Sequence, residues 1–141
     1  MSTEETGKYF VKNYELSHMS SYSNYPQSLL EAMQVNLLIG PKGIINEQDM
    51  TVAAFHLDPG TDYPGHAHPF PEVYIFICGT AQCQWGDETF TAGPGTVTHC
   101  PPNLSHAMRV MSSEPLRAFI VGWAPNGERS VWESDSVLLD Q

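Results

Sequence analysis

Basic residues are scarce in this chain: six lysines and arginines stand against 16 aspartates and glutamates over 141 residues, for a formal charge of −10. Such a surface repels phosphate backbones and anionic bilayers, so neither nucleic acid nor a membrane is an expected partner. Long apolar runs are missing as well, since a stretch such as "EVYIFIC" falls far short of the roughly 20 residues that cross a bilayer. The start, "MSTEETGKYF", has no basic region followed by an apolar one, so no secretion signal is expected and the location expected is cytoplasmic. The three cysteines, Cys78, Cys83 and Cys100, are odd in number and lack zinc-finger spacing, which predicts reduced thiols instead of a disulfide framework. Repeats and low-complexity segments are absent too.

What remains is one domain's worth of chain, rich in short strand-like runs. From about residue 43 these are "IINEQDMTVAAFHLDPG", "EVYIFICG", "TAQCQWG", "ETFTAG", "GTVTHCPP", "SHAMRVMS" and "LRAFIVGWAP", each punctuated by glycine or proline. Their near-regular spacing predicts an all-β antiparallel sandwich or barrel. "WGDE" reads as a hairpin turn, because Gly86 and Asp87 tolerate the backbone angles required. We divide the chain into an N-terminal segment, 1–44, the barrel, 45–125, and a tail, 126–141, that returns over one end or packs on a partner. Within the first segment "SHMSSYSNYP" is turn-rich, and "YPQSLLEAMQVNLL" predicts a short helix with Leu29, Leu30 and Met33 on one face.

The stretch "GHAHPFPEVYIFICG" carries chemistry. Strand alternation puts His66 and His68 on one face, together with Glu72, Tyr74, Phe76 and Cys78 if the register is continuous. A break at "PFP", residues 69–71, would instead let Glu72 approach the same centre from the next strand. Two imidazoles and a carboxylate need a further ligand, and His106 in "GTVTHCPPNLSHAMRV" is the best donor. Imidazole and carboxylate together suit iron, manganese, nickel, cobalt or zinc.

These residues resemble the cupin superfamily of small β-barrels, also described as jelly rolls or double-stranded β-helices. Its first motif is matched by Gly60, His66, His68, Glu72 and Gly79, and its second by Gly95, Pro101 and His106. The second motif departs at Asn103 and Val110, where glycine and asparagine are usual. Asparagine accepts a left-handed backbone, so the turn at 103 is expected to survive. The resemblance implies one divalent transition metal per chain, iron first for an enzyme, held by His66, His68, Glu72 and His106. With "PLRAFIVGWAPNG" added, the chain also looks like the cupin lyases that cleave dimethylsulfoniopropionate. That narrower resemblance implies Tyr74 as the catalytic base, removing a proton next to a metal-bound carboxylate and expelling dimethyl sulfide.

Cupins serve many functions, so other classes stay open: a non-haem iron dioxygenase, an isomerase or epimerase of small oxo-acids or sugars, and a non-catalytic sensor. Tyr63, Phe76, Trp85, His99, Met108 and Trp123 are candidate pocket residues around a small-molecule substrate. His18 and His56 have no partner signal. Arg109 faces away from His106 by alternation. Small cupins commonly pair, and the apolar tail "SVLLDQ" gives a surface for it, so a homodimer is expected.

Overall fold

A computed structural model describes residues 5–18, 27–123 and 137–138. The chain runs through β1 (Glu5–Thr6), β2 (Val11–Lys12), α1 (Gln27–Ala32), β3 (Met33–Gly40), β4 (Ile45–Asn46), β5 (Met50–Leu57) and β6 (Asp62–Ala67). It continues through β7 (Glu72–Cys78), β8 (Ala81–Trp85), β9 (Glu88–Ala92), β10 (Val97–Cys100), β11 (His106–Val110), β12 (Leu116–Trp123) and β13 (Val137–Leu138). Apart from the small β1–β2 hairpin, the strands form a six-stranded sheet, β10-β7-β12-β5-β3-β4, and a five-stranded sheet, β13-β6-β11-β8-β9. From β5 onward the chain passes back and forth between the two sheets, pausing in the smaller one for the β8–β9 hairpin. This is the double-stranded β-helix of a cupin.

The strands that the sequence predicts as a sandwich or barrel lie in two sheets. Among the described residues no ladder joins them. At the one edge where consecutive strands β9 and β10 would meet, Gly93 and Thr96 bond to each other across a turn, and the chain crosses between the sheets without pairing.

The N-terminal region differs from expectation as well. The helix is six residues long and ends before Met33, whose side chain begins a strand paired antiparallel with β5. Residues 33–40 therefore belong to the larger sheet. Leu29 and Met33 are still buried together, and His18 donates from Nδ1 to the Leu30 and Met33 carbonyls at the helix end. Such end carbonyls have no partner within the helix, so this histidine has a capping role. The turn-rich stretch is outside the described residues from 19 to 26. Of the tail, Val137–Leu138 lies on the edge of β6, and the rest is outside the described residues.

Alternation explains the core. Buried Glu72, Tyr74 and Phe76 on β7, Thr98 and Cys100 on β10, and Leu116, Ala118 and Ile120 on β12 face inward, while Val73, Ile75, His99 and Arg117 face out. The expected "WGDE" hairpin forms as a two-residue turn between Trp85 and Glu88, with Gly86 at φ 60°.

Gly79 is the glycine the fold cannot easily give up. Its φ is 77°, and a Cβ there would collide with the Pro115 carbonyl oxygen. Gly60 has φ 76° but open space around it. Thermal denaturation is therefore expected to show Gly60→Ala losing only the left-handed penalty, about 1–2 kcal/mol. Gly79→Ala should lose clearly more, and equal losses would contradict the assigned clash.

Candidate metal centre

The "PFP" segment breaks the strand, which puts the histidines and Glu72 on opposite walls. His66 lies in β6 of the smaller sheet and His68 just beyond its end, while Glu72 opens β7 of the larger sheet. His106 opens β11 directly across from His66. Between them the register slips: three residues of β11, from His106 to Met108, oppose four of β6, from His66 to Tyr63. The extra residue falls at Pro64–Gly65, where a proline costs no ladder bond. This bulge lets both Tyr63 and His66 face inward, which strict alternation forbids.

Each imidazole is oriented by a carbonyl two residues away. His66 Nδ1 donates to Pro64 O at 3.0 Å, His68 Nδ1 to Phe70 O at 2.8 Å, and His106 Nδ1 to Leu104 O at 3.0 Å. Because a carbonyl can only accept, Nδ1 carries the proton, and a neutral ring so held keeps its lone pair on Nε2; His68, whose Nε2 lies 3.1 Å from the Glu72 carboxylate, donates there when its ring is protonated. This is the orientation in which histidine binds metals. One ring nitrogen from each histidine lies within 4.8 Å of the other two, and all three side chains are buried. The Glu72 carboxylate closes the cluster, with Oε1 at 3.1 Å from His68 Nε2 and 3.4 Å from His106 Nε2. The longer contact lacks hydrogen-bond geometry, leaving His106 Nε2 buried without a hydrogen-bond partner. A cation in the midst of these atoms would satisfy that orphaned nitrogen, so the residues fit a divalent ion.

The electrostatics agree. Burial, with His106 nearby, lowers His66 from 6.5 to about 3, so the ring stays neutral. Burial also disfavours charge on His68, but Glu72 outweighs it and raises that imidazole above its ordinary value. Burial alone would raise Glu72, yet His106 and His68 beside it hold the carboxyl well below the usual range.

An aromatic layer lies against the cluster. The Tyr74 ring is 6.1 Å from that of His106, Tyr63 is 4.5 Å from His66, and Trp85 is 5.5 Å from His106. Phe76 stacks on Tyr74 at 5.9 Å, and Met108 is buried on the same side of β11 as His106. The structure thus gathers Tyr63, Tyr74, Phe76, Trp85 and Met108 around the histidines. It places the other two pocket candidates elsewhere: His99 is exposed on the outer face of the larger sheet, its ring stacked at 6.5 Å on that of Trp123. Both follow the outward parity of their strands. Phe55, edge-on to Tyr74 at 6.1 Å, was missed, although its place two residues before Leu57 on an apolar strand signals an inward side chain. Cys100 pairs with Glu72 across β10 and β7, and burial with that carboxylate pushes its thiol up to about 12. Arg109 is exposed and pairs with Asp62 at 3.6 Å, as its outward parity requires. The Asn103 backbone is left-handed, φ 65°, and its N–H bonds His68 O at 2.8 Å, so this asparagine serves where glycine is usual.

The family model for dimethylsulfoniopropionate lyase matches residues 10–118. The chain belongs to that family. An uncharacterised protein of Streptomyces coelicolor is 32% identical to this lyase-family chain over 77 residues, covering 55% of this chain and 72% of that one. Among solved structures, a chain from the dimethylsulfoniopropionate lyases RdDddP and RnDddQII is similar at 23% identity and a TM-score of 0.73. It covers 89% of this chain and 62% of its own. The lyase DddQ of Ruegeria pomeroyi is similar at 23% identity and a TM-score of 0.71, over 82% of this chain and 60% of its own. At such identity the likeness is one of fold, and the chain spans about three fifths of the length of those two lyases. Among the described residues of this family member, no helix is long and apolar enough to cross a membrane.

The low value of His66 sets a pH dependence. In the unfolded chain the ring takes a proton below about 6.5, while the folded site refuses it down to about 3, so stability is lost as pH falls through that window. The slope from this group is about 1.4 kcal/mol per unit. His68 works in the opposite sense, since its raised value favours the folded state below 6.5. With chelator present, the melting temperature is expected to fall from pH 6.5 to 4.5, and to fall less in His66→Asn. Identical slopes would contradict this assignment.

Proposed function

We propose that the chain is a metal-dependent enzyme acting on a small carboxylate-bearing molecule, and that its reaction is β-elimination from dimethylsulfoniopropionate. The observation that carries this reading is the buried convergence of three histidines and Glu72 beside Tyr74. The family match supports it. His66, His68 and His106 would hold one divalent transition ion through Nε2, and Glu72 through a carboxylate oxygen. Iron is the first choice, and manganese, nickel, cobalt and zinc also suit the donor set. Such an ion, when bound, supplies Lewis acidity that stabilises charge developing on a substrate carboxylate.

The rest falls to the protein. Tyr74 is the proposed base, its oxygen, as the phenolate, taking the proton from the carbon next to the carboxylate. The electron pair of that C–H bond becomes the new C=C bond as the C–S bond breaks. Sulfur leaves with the C–S pair as dimethyl sulfide, and acrylate remains with the proton on Tyr74. Phe55, Phe76 and Trp85 pack around the Tyr74 ring and exclude water from it. The faces of Tyr63 and Trp85 suit a sulfonium cation.

Under argon, iron-loaded protein given dimethylsulfoniopropionate is expected to release dimethyl sulfide, detected by headspace gas chromatography. Tyr74→Phe should lose on the order of 100-fold or more in rate at unchanged metal content. Turnover that consumes oxygen in proportion to product would instead favour a dioxygenase. Silence from the metal-loaded wild type would overturn the lyase reading.

A further inference from the structure

The larger sheet is apolar on its outer face as well as its inner one. An antiparallel sheet with one wet face alternates apolar with polar residues, whereas strands covered on both faces read as continuous apolar runs. "VYIFI" in β7 and "AFIVGW" in β12 are runs of the second kind. The core between the sheets covers only their inward residues. Register sets the outward ones side by side: Val97, Ile75 and Phe119 form one row across β10, β7 and β12. Val73, Val121 and Val52 form the next row, across β7, β12 and β5. The face is open to solvent, with Val97 64% exposed, Ile77 47%, and Met50 and Trp123 36% each.

Charge sets this face apart from the rest of the chain. None of the 16 aspartates and glutamates takes an outward position on β5, β7, β10 or β12, where the polar residues are Arg117, His56 and His99. Two copies of a chain with formal charge −10 repel each other wherever their carboxylates meet, so self-association is least opposed here. The size is suitable too. Four strands about 4.8 Å apart, apolar over about 20 Å of their length, present roughly 400 Å² in projection. A stable dimer buries about 800 Å² on each partner as an apolar core inside a polar rim, and a patch of this extent supplies the core. The described parts of the chain's own ends lie elsewhere. Ser17 bridges Val35 and Glu15 O accepts from Asn36 Nδ2, both on β3, while Val137–Leu138 pairs with β6 of the other sheet.

We infer that the outer face of β5, β7, β10 and β12 is an interface between two copies of this chain, apposed across a two-fold axis. Each face then covers its equal, and no second complementary surface is needed. The pairing surface is thus the sheet and not the apolar tail "SVLLDQ".

Sedimentation equilibrium of the full-length protein tests this. At about 50 μM, above the weak end of the affinities that interfaces of standard size reach, the wild type is expected at twice the chain mass. Ile77→Asp, Val97→Asp puts two carboxylates from each copy into the interface and should raise the dissociation constant on the order of 1,000-fold, leaving monomer. Both positions are exposed, so circular dichroism should show an unchanged fold. Val97→Asp alone, at the more exposed of the two, should weaken the dimer on the order of 30-fold. Gln84→Glu, Thr89→Asp adds the same charge at exposed positions of the smaller sheet and should shift the dissociation constant by no more than about threefold. A monomeric wild type would overturn the inference, and a lower melting temperature for the aspartate variants of that monomer would assign the face to a segment of the same chain. A dimer that survives Ile77→Asp, Val97→Asp, or that is lost equally in Gln84→Glu, Thr89→Asp, contradicts it as well.

Discussion

Three buried imidazoles, each donating from Nδ1 to a backbone carbonyl two residues away, determine what this molecule can do. The bonds to Pro64, Phe70 and Leu104 fix ring direction, so one nitrogen of each ring is turned into a cluster less than 4.8 Å across. Because the partners are main-chain atoms next to each histidine, the orientation survives as long as the local backbone does. Collecting lone pairs and a carboxylate in a dry interior is unfavourable unless a cation compensates them. The cluster therefore reads as a binding site and not as core packing.

The sheet architecture makes that convergence possible. β6 and β11 bring the histidines from one wall, and β7 brings Glu72 and Tyr74 from the other. Two irregularities position the groups: the bulge at Pro64–Gly65, and the left-handed Asn103, whose N–H ties the β10–β11 loop to the carbonyl of His68. Aromatic rings then fill the space between the sheets. Pairs such as Tyr74 with Trp85, edge to face at 5.6 Å, contribute about 0.5–1.5 kcal/mol beyond their burial and hold the Tyr74 ring in place.

Much of this was legible in the residues. Two-residue periodicity located most of the strands from residue 50 on, and His-x-His with a carboxylate four residues on marked the cluster. The break at "PFP" was readable as an alternative and proved to be the way Glu72 reaches the opposite wall. Other features were not readable, for physical reasons. Tyr63 was a pocket candidate by residue type alone; it faces inward through a bulge, and nothing in "TDYPGHAH" announces which residue is extra. Met33 sits at a helix-to-strand junction where one apolar residue serves either period. His99 and Trp123 looked like pocket residues by type, whereas strand parity puts both on the outer face. Nor does composition encode that the chain turns at 93–96 and crosses between the sheets without β9 pairing with β10.

Elemental analysis of untagged protein, purified without chelator and compared with a His66→Ala, His68→Ala double variant, tests the histidine cluster directly. About one first-row transition ion per wild-type chain, and none in the variant, is the expected result. If the wild type stays empty after anaerobic loading with iron, manganese, nickel and zinc, or if the variant binds as much metal as the wild type, the cluster is not a metal centre.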